Sequence, residues 1–217
     1  MQLLIVYIAL FLFCLRVLYV VWYSLLLIRP LPSNRLKHIP SDYSFIQPGT
    51  LILTKIKSSL FSVNHLSLAL SNDRIFECMP TKKKLVRYHF FSFHAQDILP
   101  KLIGAADHIA IRQPLVPLNA LEIARMADLQ MKASTLHFNY LYEVDLFRHR
   151  IFGIEEDDID SDCLDGNKSF CSQYISILLR SVKRFNVNHN WSFPGEFSSN
   201  HPNDVLKGHY GPNLTIP

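Results

Sequence analysis

The first 28 residues of the chain are almost entirely apolar, and this feature constrains the fold more than any other. A helix needs roughly 20 such residues to cross a bilayer, so the segment is long enough to span a membrane with some tilt. It has neither the basic start nor the small-residue cleavage site typical of a signal peptide, which favours an uncleaved anchor. Arg16 near mid-span costs about 2.5–3.5 kcal/mol on insertion scales, so it either pairs with a partner or indicates a helix lying flatter in the interface. We expect residues 1–28 to form a transmembrane anchor.

Basic residues follow this segment and none precedes it, and by the positive-inside rule the globular part is then cytoplasmic. The residues concerned are Arg29, Arg35 and Lys37. Three N-x-[ST] sequons would be open to glycosylation in a lumenal protein, and we interpret them as chance occurrences at Asn167, Asn190 and Asn213. The expected localisation is a single-pass membrane protein with a cytoplasmic domain.

The remainder of the chain divides into a linker and one domain. Residues 29–44 are polar and punctuated by proline, as linkers are, and residues 45–217 form the predicted globular domain. Of the whole chain, 49% of residues are hydrophobic and 12% aromatic, which is enough for a core. The formal net charge is only +4, with no basic stripe interleaved with aromatic residues, so a nucleic-acid partner is not expected. No GxGxxG or GxxxxGK[ST] motif is found, which argues against a phosphate-cradling loop.

Strand-like runs come first in the domain and helices follow, which predicts the α+β class. The predicted strands are residues 50–56, 63–70, 74–79, 84–91 and 108–113. A helix is predicted over 118–133, because Asn119 can cap it with Glu122 three residues later. We expect its core-facing stripe to contain Leu121, Ala124 and Met131.

The stretch NKSFCSQYISILLR places Cys171 just inside the first turn of a second helix, with Ser169 or Asn167 as its cap. Helix N-termini and nearby histidines lower the pKa of a cysteine from about 8.5 to roughly 3.5–7.5, and the same backbone N–H groups can hold an oxyanion. Cys171 is therefore either a small hydrophobe in the core or an activated nucleophile. The four cysteines form no CxxC pair, and Cys14 lies in the apolar leader. The three that remain in the globular part are an odd number, which favours free thiols, although one disulfide with one free cysteine stays open.

The run VNHLSLAL supplies a candidate base. Its leucines alternate with His65 and Ser67, which share the other face of the strand. If residues 71–73 form a three-residue loop, Ser67 lies opposite Glu77 on that face; a two-residue loop would turn Glu77 away. We expect the shared face, where Glu77 would hold the far nitrogen of the imidazole. A strand histidine and a helix cysteine are each more often structural, so spacing alone does not establish a triad.

The stretches NHLSLAL and RIFECMP, followed over ninety residues later by FCSQYISILL, resemble the circularly permuted papain-like amidases. This is the YiiX/YaeF branch of the NlpC-like superfamily, which is related to lecithin:retinol acyltransferase. The stretches DHIAIRQP and NHPNDVLKG resemble the Arg-x-Pro strand and the terminal Pro-x-Asp element of that family. The resemblance covers roughly residues 45–212. Two positions depart from the family pattern, namely Thr50 in place of an aspartate and Gln173 where many members have glutamate.

The resemblance implies an α+β, permuted papain-like fold with a central antiparallel sheet packed on helices and thiol acyl chemistry. Carried over, Cys171 is the nucleophile, His65 the base and Glu77 the orienting acid. We expect Phe170 and Ser172, which flank the nucleophile, to contribute to the oxyanion or substrate-binding site. The family chemistry requires no metal and no cofactor.

Three function classes follow. The first is a membrane-anchored cysteine hydrolase or acyltransferase that cleaves an amide or ester, with the bilayer and a lipid or peptide substrate as partners. The second is an inactive relative that acts as a membrane-bound binding or scaffolding protein. The third, a metal hydrolase, is disfavoured because no HxxxH or HExxH motif is found.

The acidic run 154–166 lacks the glycine and closing glutamate of an EF-hand, and we interpret it as a solvated loop. Four aromatic residues are candidates for an acyl pocket or for the core: Phe138, Tyr140, Tyr142 and Phe147.

Overall fold

The apolar runs of the domain assemble into one antiparallel sheet with helices on both faces. The computed structural model describes residues 2–28, 46–56, 63–80, 88–132, 137–138, 168–169, 171–183, 185 and 192–216. In chain order the elements are α1 (Gln2–Ile28), β1 (Leu51–Ile56), β2 (His65–Ala69), β3 (Arg74–Pro80), β4 (Tyr88–His94), α2 (Ala95–Ala105), β5 (Ala106–Arg112), α3 (Ala120–Lys132), β6 (His137–Phe138), β7 (Lys168–Ser169), α4 (Cys171–Ser181), a 3₁₀ turn (Pro194–Phe197) and β8 (Leu214–Ile216).

The main sheet has the order β4-β3-β2-β1-β5-β8, and every neighbouring pair is antiparallel. Five of these strands correspond to the five predicted runs, and the three-residue β8 extends one edge. The predicted α+β class with an antiparallel sheet is therefore confirmed. Strand β4 lies a few residues later than the predicted run 84–91, and β6 and β7 form a separate parallel pair.

Successive side chains of a strand point to opposite faces, so the sheet buries two separate apolar clusters. The larger cluster joins Leu66, Leu68 and Phe76 to α4 through Tyr174 and Leu178. The smaller cluster joins the alternate positions to α2; its members include Ile52, Ala69, Ile75, Ile98 and Leu99. A sheet covered on both faces explains why all five residues of β2 are buried.

Helix α3 begins with the predicted capping box. The Glu122 N–H donates to Asn119 Oδ1 at 3.0 Å, and the Asn119 N–H donates to Glu122 Oε2 at 2.8 Å. The predicted core stripe is wrong, because Leu121 is 61% exposed while Glu122 and Met126 are buried. The capping contact draws the Glu122 side of the helix inward, which leaves Leu121, about 100° away around the helix, facing outward.

Helix α1 is 27 residues long, and its segment Leu4–Trp22 has a mean hydropathy of 2.6. None of that segment is buried against the rest of the chain, so α1 is not a core helix. By length and composition it is able to cross a membrane. The linker 29–44, the acidic run 154–166, Phe170 and three of the aromatic residues proposed for an acyl pocket (Tyr140, Tyr142 and Phe147) lie outside the described residues. The fourth, Phe138, is described only as a backbone position of β6.

Candidate functional site

The β2–β3 hairpin determines which side chains can meet. Leu68 pairs with Phe76 and Ala69 with Ile75, and the Leu70 N–H donates to the Arg74 carbonyl at 2.7 Å. Residues 71–73 therefore form the loop, and the same register places Ser67 opposite Glu77. The predicted three-residue loop and shared face are confirmed.

Three polar side chains on this face form a continuous hydrogen-bonded chain. His65 Nε2 bonds to Glu77 Oε1, and the Ser67 hydroxyl donates to Glu77 Oε2. His65 is 8% exposed, Glu77 is 1% exposed and Ser67 is fully buried. Both oxygens of a buried carboxylate are thus engaged, which fixes the rotation of the Glu77 side chain and of the imidazole that it holds.

Cys171 reaches the same histidine from another element. It is the first residue of α4, it carries a free thiol that is 3% exposed, and this thiol lies close enough to His65 to help raise the pKa of the imidazole. Because Nε2 is engaged by Glu77, Nδ1 is the ring nitrogen left for the thiol. The structure therefore brings together all three residues of the predicted triad, Cys171, His65 and Glu77.

The electrostatics of the site act on the imidazole. Burial acts to lower the pKa of His65, but the charge of Glu77 and the hydrogen bonds to Cys171 and Glu77 act in the opposite direction and prevail. The pKa of His65 is consequently raised well above its ordinary value of 6.5. The environment favours the imidazolium, which is the form that a base takes after it has accepted a thiol proton.

Ser172 and Phe170, which flank Cys171 in the sequence, are the residues predicted for the oxyanion or substrate-binding site. The Ser172 side chain is fully buried, and its hydroxyl donates to the Ser192 carbonyl at 2.7 Å. That hydroxyl therefore links α4 to the C-terminal segment, and an oxyanion contact from Ser172 would have to come from its backbone N–H in the first helical turn. Phe170, the other predicted residue, lies outside the described residues.

The sequence reasoning missed a buried ion pair in the domain. Arg112 on β5 is 1% exposed and binds both carboxylate oxygens of Asp204, at 2.7 and 3.0 Å. The same guanidinium donates to the carbonyls of Phe197 at 2.7 Å and Gly211 at 2.9 Å. These contacts join the Arg-x-Pro and Pro-x-Asp stretches noted above. One feature of the sequence could have indicated this pair. Arg112 is a single arginine at the end of an apolar strand, and a buried cation requires an acidic partner.

A metal site requires several ligating side chains close together. Within the described ranges, no group of three or more His, Cys, Asp or Glu side chains is arranged to hold a metal ion. Besides Cys171, Cys14 in α1 carries a free thiol.

No protein-family model matches the sequence, and no curated protein matches it at a significant level. The geometry of the site therefore carries the functional argument.

Proposed function

We propose that this chain is a membrane-anchored cysteine hydrolase or acyltransferase of the permuted papain-like class. The observation that carries the proposal is the continuous contact from Glu77 through His65 to Cys171. A carboxylate on one nitrogen of an imidazole and a thiol at the other is the arrangement that a thiol acyl transferase requires. The position of Cys171 at the start of α4 adds backbone N–H groups that are suited to an oxyanion.

In the first half of the proposed reaction, His65 accepts the proton of the Cys171 thiol, and Glu77 stabilises the imidazolium. The thiolate attacks the carbonyl carbon of an amide or ester, and the carbonyl electron pair moves onto the oxygen. The C–N or C–O bond then breaks while the imidazolium protonates the departing amine or alcohol. An acyl thioester on Cys171 remains.

In the second half, water or an acceptor alcohol attacks the thioester carbon while His65 takes its proton. The tetrahedral species expels the Cys171 sulfur, which takes up the proton again. Water as the acceptor gives hydrolysis, and an alcohol gives acyl transfer. We propose a lipid or peptide acyl group as substrate, because α1 would hold the site close to a bilayer.

One observation favours the second candidate, a catalytically inactive binding or scaffolding protein. Cys171 is 3% exposed and His65 is 8% exposed, so both reacting groups are nearly closed off from solvent. A substrate carbonyl must reach the thiol for catalysis, and a fold that keeps the triad closed would bind without turnover.

Trapping the acyl-enzyme separates the two candidates. The full chain in detergent micelles is incubated with a short activated acyl ester, and the peptide that contains Cys171 is examined by mass spectrometry. The enzyme proposal predicts one acyl group on Cys171 that hydroxylamine removes, and slower formation of this adduct in His65→Ala. No adduct on Cys171, with acyl groups only on surface lysines, would support the scaffold.

A further inference from the structure

Three large apolar side chains are exposed on the short segment between β5 and α3 and on the first turn of α3. Leu115 is 61% exposed, Val116 63% and Leu121 61%. Among the side chains outside α1 whose exposure the structure describes, one other large hydrophobic residue is exposed, Ile56, at 39%. Single apolar residues on a surface are ordinary, but three within seven positions form a group. We call Leu115, Val116 and Leu121 the apolar loop surface.

The exposure of this surface does not come from a loosely held loop. The Leu115 N–H donates to the His209 carbonyl at 2.9 Å, and buried Pro114 pairs with Tyr210 in a β-bridge. On the other side of the exposed residues, Leu118 is buried in the larger core cluster. The loop is thus fixed at both ends, and the fold holds Leu115 and Val116 outward between two buried anchors.

The third side chain is held outward by the start of α3. The capping box turns Glu122 inward, so Leu121 faces away from the core. Arg125 follows Leu121 by one helical turn and lies on the same side of α3. Exposed Lys207 belongs to the turn that also contains His209, the residue bonded to the loop. Two cationic residues therefore belong to the segments that carry or hold the apolar side chains, Arg125 on α3 and Lys207 in the turn bonded to the loop.

We propose that the apolar loop surface binds the surface of a lipid bilayer that contains anionic lipids. Apolar side chains bordered by Lys and Arg are the composition that enters the boundary between headgroups and acyl chains. The inference rests on the membrane anchorage proposed above. Residues 29–45 separate α1 from the first described residue of the domain, and a chain of that length spans at most about 60 Å. A contact too weak to hold a free protein suffices at the high effective concentration that such a tether creates.

The contact would give the domain a second point of attachment. A domain held only by a linker rotates freely, whereas α1 and the apolar loop surface together fix which side faces the bilayer. Cys171 would then keep a constant orientation to the lipid.

Lipid photo-crosslinking tests the inference on the full chain. The protein is reconstituted in vesicles of phosphatidylcholine and phosphatidylserine that contain a phosphatidylcholine with a diazirine near its headgroup. Adducts are mapped to peptides by mass spectrometry. Adducts are expected on α1 and on the peptide around residues 115–121, and those on the latter should be lost when Leu115, Val116 and Leu121 are all replaced by serine. Ile56→Ser, which removes the exposed apolar side chain outside the surface, is the matched control and should leave the adducts unchanged.

Two outcomes would overturn the inference alone. One is labelling of α1 with no more labelling of the loop peptide than of exposed residues on α2. The other is cross-linking of residues 115–121 to a second copy of the chain in place of lipid. If α1 is also unlabelled, the proposed anchorage fails and the inference fails with it.

Discussion

At the scale of single residues, Glu77 is the charged group with the largest effect on the pKa of His65. Its carboxylate is buried, yet each oxygen has a donor, one from His65 and one from Ser67. Burial is the largest single influence on the pKa of His65 and disfavours a charged imidazole, but the charge of Glu77 and the hydrogen bonds to the ring together outweigh it. The protonation state of His65 therefore depends on the combined effect of Glu77 and the other groups that contact the ring, and not on burial alone.

We expect Glu77→Gln to lower the pKa of His65 markedly from its raised value. The amide keeps the size of the side chain but removes the charge that opposes the effect of burial. The measurement is the NMR titration of the His65 ring protons, with Asp97→Asn, a change in an exposed acid on α2, as the control. An unchanged pKa of His65 would remove Glu77 from the proposed role.

Ser67→Ala should lower the pKa of His65 by a smaller amount. Without the hydroxyl, Glu77 Oε2 lacks a donor and the carboxylate is free to turn away from the ring. Ser176→Ala is a matched control, because Ser176 is also a fully buried serine and donates to the Ser172 carbonyl on α4. Both variants should lose stability, but only Ser67→Ala should shift the His65 titration. Equal titration curves for the two variants would mean that Ser67 only packs.

At the scale of elements, the sequence predicted those features that local rules determine. The β2–β3 register follows from a three-residue loop between alternating runs, and the start of α3 follows from the spacing of Asn119 and Glu122. Helix α2 was not predicted because it is short and contains Pro100 and Gly104, two residue types that commonly interrupt helices. The ion pair of Arg112 and Asp204 was missed because 92 residues separate the two, and no local pattern fixes such a contact.

Asp204→Asn tests the contribution of that pair to the fold. Arg112 would keep its carbonyl contacts but lose its counter-charge inside the protein, and removal of one partner from a buried pair costs about 3–5 kcal/mol. The measurement is urea unfolding of the full chain in detergent. Asp107→Asn, at an exposed position of β5, is the control and should cost little. A loss of stability no larger than that of the control would contradict a structural role for the pair.

At the scale of the whole molecule, the raised pKa of His65 links stability to pH. A histidine whose pKa is higher in the folded than in the unfolded state binds its proton more tightly when folded. Its stabilising contribution is complete below the ordinary value of 6.5 and is lost as the pH rises through the folded pKa. The site thus favours the folded state most at mildly acidic pH.

As the pH rises above the ordinary histidine value of 6.5, the free energy of unfolding of the parent protein should consequently fall more than that of Glu77→Gln. Apart from Glu77 itself, the two proteins share every titrating group, so the difference between their pH profiles reports the His65–Glu77 pair. Parallel profiles would show that the imidazole does not change its proton affinity on folding.

The most direct test of the proposed thiol chemistry is the rate of alkylation of Cys171 by iodoacetamide as a function of pH. The full chain is used in detergent, and peptide-level mass spectrometry separates Cys171 from Cys14, Cys78 and Cys163. The account predicts that Cys171 reacts well below about pH 8, as a thiolate paired with an imidazolium does, and that His65→Ala loses this reaction. A Cys171 that reacts as an ordinary thiol, or fails to react, in both proteins would contradict the enzyme proposal and favour the scaffold.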